Sequence, residues 1–169
     1  MSKIENIYSK ADEMFFDADN RIREGKIVEA RDILINLINQ FPEYGRAYNH
    51  LGWIYETKYK DYKKAEEYYK KALELSPDYP AVYLNYAEVL STLEKFDELE
   101  ELLNKALNVP GVAKDRIYND FGIMYELKGD FSKAIDFYKK AIAASLSEED
   151  IGVFSESIER CKTKKDILH

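Results

Sequence analysis

The sequence predicts an all-α protein built from repeated helix hairpins, and three observations point to that class. The 169 residues include only 7 Gly and 4 Pro, too few for a turn-rich β-sandwich. Apolar residues recur at helical spacing on either side of short polar breaks. The chain also repeats itself, since Gly52 and Gly122 lie 70 residues apart, twice a period of 35. A period of this length is typical of helical solenoids.

The repeat is carried by small and aromatic residues. Four predicted hairpins cover residues 11–44, 45–79, 80–114 and 115–148. The second and fourth match best, because four residues of the second recur at the same places in the fourth: Tyr48, Tyr55, Ala65 and Tyr69 recur as Tyr118, Tyr125, Ala134 and Tyr138. One hairpin cannot cover its own apolar face, so the four are expected to stack.

Turn residues agree with this period. Pro42 and Pro77 lie 35 residues apart and are predicted to end second helices, because proline lacks an amide donor. Gly25 and Gly129 are predicted to end first helices, where positive φ is useful. Gly52 is expected at a close approach of two helices, where a larger side chain would overpack the contact.

Both ends are predicted to be capped. Residues 2–10 extend the first helix, and Ser2 and Glu5 have the spacing of a capping box. A last helix over residues 148–165 carries an apolar stripe with Phe154, Ile158 and Cys161 that would cover the fourth hairpin. The prediction is one domain over residues 1–169.

The repeated residues resemble those of the tetratricopeptide repeat (TPR) family, whose pattern is W-x₂-L-G-x₂-Y, then A-x₃-F, then P. Residues 48–55 read Y-x₂-L-G-x₂-Y, followed by Ala65, Tyr69 and Pro77. The fourth unit lacks the proline, and the first departs most, with Asp17 and Arg21 at usually apolar places. The resemblance implies a right-handed superhelix of about four hairpins plus a capping helix, which binds segments of other proteins in a concave groove.

Composition and motifs exclude several function classes. The 25 basic and 32 acidic residues give a net charge of −7, which argues against nucleic acid as a partner. The start lacks an apolar leader and no long apolar run follows, so we expect a cytoplasmic protein that does not bind membranes. His50 and His169 do not have metal-ligand spacing, and no nucleotide-binding loop occurs. We therefore expect no cofactor, no metal site, no catalytic residue and no enzymatic activity.

The predicted site is the face of the first helices that adjoins the small residues. Asn49, Asn85 and Asn119 either bond to the backbone of a bound peptide or fill space between helices. Trp53 either points into the groove as a binding hot spot or is buried by a neighbouring repeat. The predicted peptide-binding residues are Phe15, Asp19, Arg46, Asn49, His50, Trp53, Asn85, Glu88, Arg116, Asn119, Asp120 and Ile123.

Charges on this face indicate the kind of partner. Asp19 or Asp120 would repel an acidic peptide tail, which excludes the carboxylate clamp known from chaperone-binding members of the family. Acidic residues of the groove face outnumber the basic ones there: Asp12, Asp19, Glu56, Glu88, Asp120 and Glu126 against Arg23, Arg46 and Arg116. We expect a neutral, basic or apolar peptide.

The sequence thus favours a non-catalytic protein–protein interaction module, present as a monomer or weak homodimer. Two alternatives stay open. One is a structural scaffold that assembles with its own copies. The other is a secretion-type chaperone for an effector or translocator protein.

Overall fold

The computed structural model describes the backbone of residues 3–168 and the side chains of residues 10–168. Within these residues the chain forms nine α-helices and no strand, which confirms the all-α prediction. Ser2 of the predicted capping box lies outside the described residues. The helices are α1 (Lys3–Arg23), α2 (Ile27–Gln40), α3 (Gly45–Thr57), α4 (Tyr62–Leu75), α5 (Pro80–Thr92), α6 (Phe96–Ala106), α7 (Lys114–Leu127), α8 (Phe131–Ala144) and α9 (Glu148–Leu168).

The helices pack as two compact units, one up to Val89 and the other from Leu90. In the first unit α1 packs on α2, α2 on α3 and α3 on α4. Its core includes the fully buried side chains of Leu34, Leu51 and Ile54. The second unit packs α6 on α7, α7 on α8 and α8 on α9. The arrangement of the whole chain as one domain stays a prediction.

Glycine is required inside two helices because an aromatic ring occupies the space of a side chain. A Cβ atom built on Gly52 of α3 would lie 2.6 Å from Cε1 of Tyr69 on α4. The same contact recurs between Gly122 of α7 and Tyr138 of α8. Both tyrosines are fully buried, so the ring cannot move aside without opening the core. Each pair fixes how closely the two helices of a hairpin approach.

The turn inside each hairpin passes through the left-handed region at equivalent places. Gly25 and Gly129, after the first helices α1 and α7, have φ values of 75° and 78°. Lys60 and Glu94 occupy the matching places after α3 and α5, both with φ of 55°. A residue with a Cβ atom is less stable there than glycine. The turn geometry is therefore kept in all four hairpins, with a side-chain cost in the second and third.

The last helix begins and packs as the sequence predicts. The hydroxyl of Ser147 accepts a hydrogen bond from the backbone N–H of Asp150 at 3.2 Å. Phe154, Ile158 and Cys161 are buried on the side that packs against α8. The helix thereby covers the apolar face of the preceding hairpin.

Candidate functional site

An open recess of about 300 Å³ lies on the first unit. Its walls come from α1, α3, α5 and the residue before α5, that is, from the first helices of three successive hairpins. The second helices contribute none of the lining residues. The recess is lined by Asp19, Ile22, Asn49, His50, Trp53, Tyr79, Ala81 and Asn85.

The floor of the recess joins two of the predicted asparagines. Asn49 is only 3% exposed, and its Oδ1 accepts a hydrogen bond from Nδ2 of Asn85 at 3.2 Å. Asn85 itself is partly exposed. The bond leaves the other Asn85 donor and its carbonyl oxygen for further partners. Asn49 therefore orients Asn85, and Asn85 presents the amide to the recess.

His50 forms one wall and is held by groups from two helices. Its Nδ1 lies 3.2 Å from the carbonyl oxygen of Arg46, and its Nε2 lies 3.7 Å from Oδ1 of Asp19. The ring also contacts Phe15, with centroids 4.6 Å apart. Burial lowers the pKa of His50, against the opposing effects of the Arg46 carbonyl and Asp19. Burial therefore favours the neutral imidazole, which the contacts with Arg46 and Asp19 hold in the wall of the recess.

Charged groups surround the aromatic residues at the rim. Trp53 is partly buried, and Nζ of Lys58 lies 5.1 Å from the centroid of its ring. The guanidinium of Arg46 lies 5.4 Å from the centroid of the Tyr79 ring. Such cation–π contacts hold the rings in place while leaving part of their surface open. The rim combines apolar surface with charged groups, as protein-binding sites do.

One turn further along α3, Glu56 is a buried carboxyl group with an unsatisfied oxygen. Glu56 is 4% exposed, and its Oε2 accepts a hydrogen bond of 2.6 Å from the hydroxyl of Tyr69. Its Oε1 is buried and has no hydrogen-bond partner among the described residues. Burial raises the pKa of Glu56 to about 7, with a further rise from Glu88 against the lowering effects of Tyr69 and Lys60.

Glu126 occupies the equivalent place on α7, where the surroundings are different. Its Oε2 accepts a 2.8 Å hydrogen bond from the hydroxyl of Tyr138, as Glu56 does from Tyr69. Arg160 of α9 adds two hydrogen bonds of 2.8 Å, one to each oxygen, and Lys164 adds another of 2.8 Å. Burial raises the pKa of Glu126, but these hydrogen bonds outweigh it and lower the pKa to about 2.

The recess brings together five of the twelve predicted site residues, and the others lie elsewhere. Arg46 stands at the rim, Glu88 is exposed one turn beyond Asn85, and Phe15 is 7% exposed beneath His50. The remaining four lie on α7 in the second unit, where Arg116 and Ile123 are exposed and Asn119 and Asp120 partly so. Their part in binding stays a prediction.

Sequence reasoning missed three residues that line the recess, Ile22, Tyr79 and Ala81. Ile22 and Ala81 have ordinary apolar side chains, and no sequence signal distinguishes them from core residues. Tyr79 directly precedes Pro80, the first residue of α5. Its position at the start of a first helix could have indicated that it lines the recess. Sequence reasoning also did not predict that Glu56 is buried. The recurrence of glutamate 70 residues later, at Glu126, was the signal that this position is special.

No group of three or more His, Cys, Asp or Glu side chains within the described part could hold a metal ion. Across residues 3–168, each helix is too short or too polar to cross a lipid bilayer.

Paired helices with recurrent small residues, and a recess formed by the first helices of three successive pairs, define a helical-repeat interaction module. Sequence profiles of one family match most of the chain. Three tetratricopeptide repeat profiles cover residues 18–80, 56–109 and 115–147. The chain belongs to the tetratricopeptide repeat family, and members of this family are generally non-catalytic modules that bind other proteins.

Individual relatives agree with this assignment. A TPR repeat-containing protein of Methanocaldococcus jannaschii is 31% identical over 121 residues, which cover 68% of this chain and 20% of that protein. The mouse mitochondrial import receptor subunit TOM70 is 28% identical over 116 residues, covering 68% of this chain and 19% of the receptor. The chain thus spans about a fifth of the length of these curated relatives.

A solved structure shows the same fold. Pseudomonas aeruginosa PilF superposes with a TM-score of 0.82, over 95% of this chain and 71% of PilF. The two sequences are 17% identical, so this likeness concerns the fold alone.

Proposed function

We propose that the chain binds an extended or short helical segment of a partner protein in the recess between α1, α3 and α5, without catalysing a reaction. One observation carries the proposal: partly exposed tryptophan, histidine and asparagine side chains line the same recess. Trp53 offers apolar contact, and Asn85 can both donate to and accept from a peptide backbone. The cytoplasm is the proposed location.

The charges around the recess favour a neutral, basic or apolar segment. Asp19 stands in the lining and is paired with Arg23 at 2.7 Å, so it does not present a free negative charge. Glu88 adds an exposed negative charge one turn away. We expect an affinity on the order of micromolar, about −8 kcal/mol, because ordering a flexible peptide opposes the contacts that it makes.

Replacement of Trp53 by alanine tests the proposal. A tagged wild-type chain and its Trp53→Ala variant would be used as baits, and recovered proteins would be compared by mass spectrometry. Phe16→Ala is the matched control, because Phe16 is an aromatic residue of α1 that is 61% exposed and does not line the recess. We expect partners to be lost from Trp53→Ala and kept by Phe16→Ala.

Affinity for a recovered partner should then fall by about 2 kcal/mol in Trp53→Ala, roughly thirtyfold, with helix content unchanged. Equal affinities of wild type and Trp53→Ala would refute binding in this recess. Sedimentation across concentrations addresses the scaffold alternative. A persistent monomer excludes obligate self-assembly.

A further inference from the structure

The buried carboxyl group of Glu56 can be compared with that of Glu126, which occupies the equivalent place in the fourth hairpin. Glu56 and Glu126 both lie four residues after the glycine that contacts a buried tyrosine, and both accept a hydrogen bond from that tyrosine. The two carboxyl groups therefore have the same local framework. They differ in what the following helix brings to them.

The helices that follow the two hairpins can be aligned by their buried stripes. Val82, Tyr86 and Val89 are buried on α5, and Phe154, Ile158 and Cys161 are buried on α9. Corresponding members lie 72 residues apart throughout. In this register Glu88 of α5 takes the place of Arg160 of α9, and Thr92 takes the place of Lys164.

This register explains the different partners of the two glutamates. Arg160 and Lys164 supply three charge-assisted hydrogen bonds to Glu126. At Glu56 the corresponding side chain is itself an acid, whose charge acts on Glu56. Lys60, in the turn after α3, also acts on Glu56 but forms no hydrogen bond with Oε1. The buried oxygen of Glu56 is thus left without the donor that its counterpart has.

An unpaired buried polar atom is costly, and a carboxylate most of all. A cation that reached Glu56 would satisfy Oε1 as Arg160 satisfies Glu126. Glu88 is exposed, so an incoming cation meets its charge first. Both acids also lie one helical turn from the recess, since Glu56 is three residues after Trp53 and Glu88 three after Asn85.

We propose that Glu56 and Glu88 form a binding site for the guanidinium or ammonium group of an arginine or lysine side chain in the partner segment. This inference rests on the proposed function, because the basic residue belongs to the segment that occupies the recess. The partner's side chain supplies to Glu56 what Arg160 supplies to Glu126. The site would select segments with a basic residue beside the one that contacts Trp53.

Selection from a library of displayed random peptides tests the proposal. The baits are the wild type, the Glu56→Gln/Glu88→Gln variant and the Glu67→Gln/Glu101→Gln variant. The last is a charge-matched control, because Glu67 and Glu101 are exposed on α4 and α6. We expect wild type and control to enrich arginine or lysine at one peptide position, and the Glu56→Gln/Glu88→Gln variant to lose that enrichment.

A selected peptide then gives the quantitative test. Replacement of its basic residue by citrulline or norleucine should weaken binding to the wild type by about tenfold, and to the Glu56→Gln/Glu88→Gln variant by less than about twofold. Glu88→Arg provides a second variant at an exposed position that leaves the core unchanged. Arginine at position 88 should pair with Glu56 and lower the affinity for the basic peptide by about tenfold or more.

The outcomes separate the two proposals. Peptides that bind wild type and Trp53→Ala equally would refute the recess as the site, and with it the cation site. Binding that depends on Trp53 but does not change with citrulline or with Glu88→Arg would overturn the cation site alone.

Discussion

Substitution of Glu56 by glutamine should change how the stability of the fold depends on pH. The charged and titratable groups around this carboxyl group are Tyr69 of α4, Glu88 of α5 and Lys60 of the following turn. Burial raises the pKa of Glu56 from 4.5 to about 7, so the folded state binds the proton more tightly than the unfolded state. Its contribution to stability is full below pH 4.5 and is lost as the pH rises towards 7.

The pKa difference sets the size of this effect. One pH unit corresponds to about 1.4 kcal/mol, so the rise from 4.5 to about 7 gives at most about 3 kcal/mol. Glutamine keeps an acceptor for the Tyr69 hydroxyl and carries no charge at any pH. Relative to wild type, Glu56→Gln should therefore gain about 1–3 kcal/mol between about pH 5 and about pH 8.

Urea unfolding followed by far-UV circular dichroism at both pH values measures this gain. A carbon-detected NMR titration of the wild-type glutamates would locate the pKa directly. Glu101→Gln serves as the control, because this glutamate is exposed on α6. If the stability difference between Glu56→Gln and wild type is the same at both pH values, the argument from burial is wrong.

Four other substitutions have defined outcomes. Glu126→Gln should destabilise the fold by about 2–3 kcal/mol near pH 7, and urea midpoints should converge with wild type as the pH falls from 4.5 to about 2, where Glu126 loses its charge. Gly52→Ala should cost about 1–2 kcal/mol in the same assay, since overpacking against Tyr69 exceeds the gain of about 1 kcal/mol in helix propensity. Gly152→Ala, with no atom within 4 Å of the added Cβ, should instead stabilise, and the reverse order of the two would contradict the packing argument. Glu94→Gly should raise the melting temperature by about 2–4 °C, because glycine adopts positive φ more easily. A melting temperature below that of the wild type would exclude strain at this turn.

The fold could be predicted from sequence because its determinants are local. Helical spacing of apolar residues, small residues at one period and turn residues at the same period each act over a few neighbours. Gly25 and Gly129 were expected at the ends of first helices and have positive φ there. Lys60 and Glu94 at the equivalent turns carried no such signal, because neither residue type favours positive φ. Backbone hydrogen bonds close these turns, from Asp61 N–H to the Tyr55 carbonyl and from Lys95 N–H to the Leu90 carbonyl, each at 2.9 Å.

The candidate site could be predicted only in part. The helical period gives the direction in which a side chain points, so Trp53, His50 and Asn85 were placed on one face and line one recess. The period does not give depth. Phe15 and Asn49 share that face but are buried, because Tyr44 and His50 pack on Phe15 and Asn85 hydrogen-bonds to Asn49.

The sequence by itself determined the repeat, its hairpins and the close approach of two helices at Gly52, because residues close along the chain specify these features. It presents Glu56 and Glu126 as copies of one position, each directly after a tyrosine. Only the tertiary structure decided their opposite pKa shifts. Burial raises the pKa of both carboxyl groups. Glu88 adds to that rise at Glu56, whereas the hydrogen bonds from Arg160 and Lys164 outweigh it at Glu126, and packing decides which of these groups each carboxyl group meets.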